Sequence, residues 1–269
     1  MAQRLKSVII WAAIILLILF WLPLLAVQRL FDRDPVRYKT GRLFRKLGYS
    51  ISKVNPNWKV SIEGRTDLDD RHPYVIVSNH LSNADIPVIS NLPWEMKWVA
   101  KKELFKLPVA GWMMRMAGDI SVDRSSATKR VGVFKKCKKV LDNNVSVMFF
   151  PEGTRSRSGK MNKFAPGAFE LAIMEQVPVV PIVIDGTQGC LPKKTWVFEP
   201  DVYVKMKILD PVDTTGMNKD QGLELMNIVR DQIVAQLAEW RDASASEVDA
   251  TIRNPNVHQS LQGNDEASL

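Results

Sequence analysis

Histidine and cysteine are scarce in this chain, and that scarcity removes several kinds of chemistry at once. The only histidines are His72, His80 and His258, and the two cysteines, Cys137 and Cys190, lie far apart. This is too few for a convincing zinc cluster. It is also too few for a disulfide framework, which suits a reducing compartment, and each cysteine reads as a small core residue rather than a reactive thiol. No Gly-x-Ser-x-Gly elbow occurs, so a histidine here has no obvious serine nucleophile to activate. Nothing repeats internally in the manner of an array. A net charge of +8 raises nucleic acid as a partner, but no RNP-type or helix-turn-helix pattern accompanies it. An anionic membrane surface is the simpler explanation, because much of the excess charge flanks an apolar span.

What is present fits one sizeable core: 269 residues, 46% of them hydrophobic. Val8 to Val27 carries no charge and is interrupted only by Pro23, a length that matches the hydrocarbon thickness of a bilayer. It is longer than a usual signal core and no small-x-small cleavage site follows, so it reads as a retained anchor, with Trp11 and Trp21 as interfacial residues. Arg4 and Lys6 precede it. Arg29, Arg33, Arg37, Lys39, Arg42, Arg45 and Lys46 follow it, so the globular part is expected to face the cytoplasm. Val36, Leu43, Phe44, Leu47 and Ile51 recur at helical spacing among basic residues, giving a second helix that either lies in the interface or packs on the domain. The expected organisation is an anchor and basic amphipathic helix over 1–54, a catalytic domain over 55–243, and a polar, disordered tail over 244–269.

Short apolar runs alternate with helix-like segments through the middle of the chain. Strands are predicted at Lys59 to Glu63, Tyr74 to Ser78, Lys97 to Ala100, Ile120 to Val122, Val145 to Phe150, Val179 to Ile184 and Val202 to Leu209. Helices are predicted at Ile86 to Asn91, Gly111 to Ala117, Ala127 to Asn143, Gly167 to Gln176 and Lys219 to Ala243. The pattern argues an α/β fold with a mostly parallel central sheet covered by helices, preceded by an N-terminal membrane-anchoring helix. Lys129, Arg130, Lys135, Lys136, Lys138 and Lys139 form a basic run, but Phe134, Cys137 and Leu141 supply an apolar stripe, so the plain reading is the solvated face of a helix.

Two stretches carry chemistry. Tyr74-Val-Ile-Val runs without alternation, as a strand covered on both faces does, and opens into Ser78-Asn79-His80-Leu-Ser-Asn-Ala-Asp85. Five residues along a helix rotate a side chain through about 500°, so His80 and Asp85 would not share a face if both were helical. His80 therefore belongs in the turn before a helix, and Asp85 near its start reaches back to one imidazole nitrogen, leaving the other for a substrate proton. With no nucleophile at hand, that proton is most simply the substrate's own, from an attacking hydroxyl. The second stretch, Phe150-Pro-Glu-Gly-Thr-Arg155, follows another buried run. Its glycine, hydroxyl and arginine suit a phosphate, with Arg155 the best ligand. Glu152 is odd beside a phosphate unless it orients an arginine or meets a substrate hydroxyl.

Together, Asn79-His80-x-x-x-x-Asp85 and Phe150-Pro-Glu-Gly-Thr-Arg155 resemble the signature of the glycerolipid acyltransferases, the family of the 1-acyl-sn-glycerol-3-phosphate (lysophosphatidic acid) acyltransferases. Gly118-Asp-Ile-Ser-Val-Asp123-Arg124, Val177-Pro-Val-Val-Pro181-Ile and Ala100-Lys101-Lys102-Glu103-Leu104 resemble further blocks of the family. The resemblance implies that His80 is a general base and Asp85 its partner. It implies that Glu152, Gly153, Thr154, Arg155, Arg124 and Lys101 hold lysophosphatidate, and that the Val177 block lies near the acyl site. Acyl-CoA or acyl-ACP would be the co-substrate and membrane lipids the surroundings, with no cofactor or metal. The oxyanion donors would be backbone N–H groups near the start of the helix after His80. Another lysophospholipid or a lyso-aminolipid remains an alternative acceptor; a non-catalytic lipid-binding protein or a hydrolase is a more distant one.

Overall fold

Val75, Val77, Val147 and Val179 pack on one side of a sheet, and Ile76, Met148, Val180 and Ile182 pack on the other, all fully buried. Two covered faces explain why these runs do not alternate with polar residues. The computed structural model describes residues 1–123, 127–191 and 195–252, with only the backbone of 127–130. Seven strands form the sheet: β1 (Trp58–Gly64), β2 (Val75–Ser78), β3 (Met96–Lys101), β4 (Ile120–Val122), β5 (Ser146–Phe149), β6 (Val179–Asp185) and β7 (Val202–Ile208). Their order is β1-β7-β6-β2-β5-β3-β4. All pairings are parallel except β6 with β7, so β6, β2, β5, β3 and β4 form a block whose C-terminal ends share one edge. Ligands bind at this kind of edge in open α/β sheets.

The helices are α1 (Ala2–Phe31), α2 (Tyr38–Val54), α3 (Asp85–Ile89), α4 (Ala110–Ala117), α5 (Ala127–Leu141), α6 (Gly167–Glu175), α7 (Gly222–Arg241) and α8 (Ala245–Val248). Residues from α5, α6 and α7 close one face of the sheet, while Ile10 and Ile14 of α1 and Val88 and Ile89 of α3 join the other. In α5, Cys137, Val140 and Leu141 point inward and Lys135, Lys136, Lys138 and Lys139 outward, as an amphipathic helix requires. The side chains of Lys129 and Arg130 lie outside the described residues. Burial pushes the thiols of Cys137 and Cys190 up to about 12, consistent with inert core residues.

α1 is long and apolar enough to cross a membrane. It nevertheless touches the domain near both ends. Gln3 donates to the carbonyl of Phe198 at 2.7 Å, the Phe198 N–H donates to Ser7 Oγ at 3.0 Å, and Trp11 Nε1 donates to the carbonyl of Trp196 at 2.8 Å. Farther along, Trp21 Nε1 donates to the carbonyl of Leu43 at 3.0 Å, and Leu25 is buried with Leu47 and Met113. Both indoles expected at an interface thus spend their N–H groups on protein. Outward from α1 stand Val8, Ile9, Leu16, Leu19, Phe20 and Val27.

α2 packs on the domain, and it does so through charge. Arg45, 5% exposed, donates to both oxygens of Asp119 at 2.7 and 2.9 Å. Beside it, Lys97 pairs with Glu95 at 2.7 Å, both side chains wholly buried, and Lys97 also donates to the carbonyls of Ala117 and Arg37. Buried pairs cost desolvation, and here Arg45 Nε and Glu95 Oε2 stay buried with no hydrogen-bond partner among the described residues. Gly41 lets α2 approach this cluster, because a Cβ there would lie 2.0 Å from Glu95 Oε1 and 2.2 Å from Lys97 Nζ.

The expectation of a disordered tail from 244 needs correction over its first nine residues. Ser244 caps α8 by a reciprocal bond with Glu247, Val248 is 1% exposed, and Asp249 forms a buried ion pair with Arg230. The Met161 N–H donates to the carbonyl of Val248 at 2.7 Å, and the Ala250 N–H to that of Met161 at 3.0 Å. One apolar side chain and one ion pair fix a stretch whose composition is otherwise polar. Residues 253–269 lie outside the described residues. Gly41→Ala is expected to lower stability by about 3 kcal/mol or more, the scale of disrupting a buried pair, read as a fall in thermal midpoint of the detergent-solubilised protein.

Candidate active site

His80 and Asp85 meet where β2 ends. His80 lies in the turn and Asp85 is the first residue of α3, as their spacing demands. His80 Nδ1 is 2.7 Å from Asp85 Oδ2. The same oxygen accepts the N–H groups of Leu81 at 2.8 Å and Ser82 at 3.0 Å, while Oδ1 accepts the hydroxyl of Thr187. A carboxylate only accepts, so Nδ1 carries the proton and Nε2, which has no partner among the described residues, presents a lone pair. The imidazole is also stacked on Phe150, with centroids 3.9 Å apart and planes inclined by 14°. Ring orientation and tautomer are thereby fixed from two directions.

Four backbone N–H groups after His80 are committed within the turn. Leu81 and Ser82 N–H serve Asp85, Ala84 N–H goes to Ser82 Oγ at 3.2 Å, and Asp85 N–H goes to the Ser82 carbonyl. Asn79 is structural. Its amide donates to the carbonyl of Ile184 at 2.8 Å and accepts the Ile184 N–H at 2.9 Å, extending the β2–β6 ladder with a side chain.

After β5 the chain turns through Phe150 to Gly153, with Gly153 N–H donating to the Phe150 carbonyl at 2.9 Å. Gly153 has a φ of 70°, a left-handed conformation that favours glycine. Glu152 points back into the protein. Its Oε1 accepts the His80 N–H at 2.7 Å, and its Oε2 accepts the N–H and side-chain amide of Asn162 at 2.8 and 2.7 Å. Burial pushes this carboxyl up to about 7. Three of its lone-pair sites are thus engaged within the protein.

Thr154 and Arg155 are exposed on the same loop, and Arg155 has no ion-pair partner among the described residues. Lys101, also exposed, ends β3 beside Val122 of β4. Arg124 follows β4 but lies outside the described residues. Lys101, the 150–155 loop and His80 all sit at the C-terminal edge of the parallel block. An apolar cavity of about 520 Å³ adjoins them, lined by Val99, Val122, Val133, Phe134, Phe149 and Phe150 among others. Phe150 thus separates this cavity from the imidazole. The Val177 block instead forms core strand β6 and lines none of the cavity.

Thr187, Phe150 and Asn162 carry parts of the geometry that no motif assigned. Thr187 follows β6, the neighbour of β2, and its position after a third strand end was the available signal.

Residues 59–185 match the family model described as Acyltransferase. The chain is 39% identical over 160 residues to the chloroplastic 1-acyl-sn-glycerol-3-phosphate acyltransferase of Arabidopsis thaliana, covering 59% of this chain and 45% of the relative. It is 32% identical over 195 residues to the 1-acyl-sn-glycerol-3-phosphate acyltransferase of Saccharomyces cerevisiae, covering 71% and 64%. Each match thus spans less than two thirds of the curated relative. Among solved structures, the 1-acyl-sn-glycerophosphate acyltransferase PlsC of Thermotoga maritima superposes with a TM-score of 0.70 at 27% identity, covering 88% of this chain and 97% of that one. Thr187→Val would leave Asp85 Oδ1 short of a buried donor. A stability loss of about 1–3 kcal/mol is expected, measured as a shift in thermal midpoint against wild type.

Proposed function

We propose that this chain, whose residues 59–185 match the family model described as Acyltransferase, moves a fatty acyl group from a thioester to the sn-2 hydroxyl of 1-acyl-sn-glycerol-3-phosphate, giving phosphatidic acid. The observation that carries the reading is the oriented imidazole: Asp85 holds Nδ1, and Nε2 has no partner among the described residues. In this reaction Nε2 takes the hydroxyl proton as the oxygen attacks the thioester carbonyl. Asp85 stabilises the resulting imidazolium. Collapse of the tetrahedral intermediate breaks the carbon–sulfur bond, and the proton passes from His80 to the departing thiolate of coenzyme A or acyl carrier protein.

The apolar cavity beyond Phe150 suits the acyl chain by its lining and its size, which falls in the range of small-molecule sites. Arg155 and Lys101 supply charge to hold the acceptor phosphate at the same sheet edge, and the family resemblance adds Arg124, which lies outside the described residues. Holding the hydroxyl beside Nε2 in this way replaces an encounter with a positioned attack.

The one-tailed acceptor and the two-tailed product both partition into bilayers, and the outward apolar residues of α1 provide the contact. Because α1 is bonded to the domain near both ends, it lies against the membrane together with the domain rather than threading away from it. The basic residues after Val27 favour the cytoplasmic leaflet.

His80→Ala is expected to reduce acyl transfer roughly 10²–10⁴-fold in an assay that follows labelled acyl-CoA into phosphatidic acid; near-normal turnover would remove His80 from the mechanism. Arg155→Ala should raise the KM for lysophosphatidate roughly 10- to 100-fold, the worth of one charge-assisted hydrogen bond. A change confined to the acyl donor would overturn the phosphate assignment.

A further inference from the structure

Glu152 stands in the loop that a phosphate-binding reading would give to the substrate, yet its bonds run the other way. One oxygen accepts the backbone N–H of His80, and the other accepts two N–H groups of Asn162. Four residues on, the Ser156 N–H donates to the His80 carbonyl at 2.8 Å. Both polar groups of the His80 backbone are therefore held by one loop, and Phe150 of that loop stacks on the ring. A carboxylate offers about four lone-pair sites, and three are engaged here. Placing it against a dianionic phosphate would also cost repulsion rather than gain binding.

The far side of this connection is itself braced. The Asn162 carbonyl accepts from Arg230 of α7 at 3.4 Å, and Arg230 is paired with Asp249. Asp249 belongs to the segment paired with Met161, the residue before Asn162. Lys160 adds a bond to the Ser246 carbonyl at 2.9 Å, and Arg241 one to the Gly159 carbonyl, also at 2.9 Å. A continuous chain of contacts thus leads from the turn after α7, through Arg230, Asn162 and Glu152, to the backbone of His80.

We infer that Glu152 is a positioning residue: it fixes the base at His80 from behind, with Asn162 and the Ser244–Asp249 turn as its support, and takes no part in holding the acceptor. The inference rests on the reading of His80 as the base. A carboxylate retained in a site that pushes it up to about 7 pays a desolvation penalty, which fits a role that demands an acceptor at both ends.

The test separates kcat from KM. Glu152→Gln keeps the shape but turns one acceptor into a donor facing N–H groups, so His80 shifts while the phosphate ligands stay. Displacing a reacting group by about 1 Å can cost roughly 100-fold. The expected result is a fall in kcat of roughly 10- to 100-fold, with the KM for lysophosphatidate within about threefold of wild type. A tenfold or greater rise in that KM at unchanged kcat would make Glu152 a substrate ligand and overturn the inference, as would unchanged kinetics in both parameters. Should Glu152→Gln not fold, Asn162→Ala, which removes one of the three bonds, decides the matter. It should lower kcat in the same sense and to a smaller extent, again without raising KM, and a rise in KM alone would count against the idea. If His80→Ala itself retained turnover, the failure would belong to the base assignment and not to Glu152.

Discussion

A carboxylate taken out of water stays in place only if its lone pairs are met by donors, and everything at this site depends on how Asp85 meets that condition. It is fully buried and receives two backbone N–H groups, a threonine hydroxyl and the imidazole. These partners come from the turn after β2 and from the segment after β6. One side chain thereby fixes the spacing of two neighbouring strand ends, the start of α3 and the tautomer of His80. The cost of burial is offset by bonds that also determine the chemistry, so geometry and reactivity are not separable here.

Buried charge also positions α2. Its surface turns inward at Arg45, which pairs with Asp119 in the turn before β4, while the Lys97–Glu95 pair at the start of β3 lies under Gly41 and reaches the Arg37 carbonyl through Lys97. Buried pairs of this kind add little net stability but strongly disfavour alternative packings. An apolar interface between α2 and the sheet would tolerate sliding; two ion pairs under Gly41 do not. The N-terminal helices and the reaction centre consequently share one frame.

How much of this was legible in the sequence follows from the range of each interaction. Strands β2, β5 and β6 were readable because burial on both faces leaves unbroken apolar runs, and the histidine turn was readable because five residues do not fit one helical face. Glu152 was not, since its partner is the backbone of a residue 72 positions away and a backbone donor has no residue type to signal it. Thr187 is 102 positions from Asp85 and equally silent. Arg45 looked like one more charge on a basic helix until Asp119 was seen beneath it. The turn at Ser244–Asp249 was hidden by averaging: its composition is largely polar, and single contacts hold it, namely the burial of Val248, the Asp249–Arg230 pair and the bonds to Met161 and Lys160.

That last turn bears on how the protein is made. Synthesis proceeds from the N-terminus and earlier segments fold first, so α1 emerges and can meet lipid long before Asp249 is translated. Until Asp249 reaches Arg230, the carbonyl of Asn162 lacks its brace and the loop carrying Glu152 is held at one end only. The reaction centre is therefore braced only once the Ser244–Asp249 turn has been made.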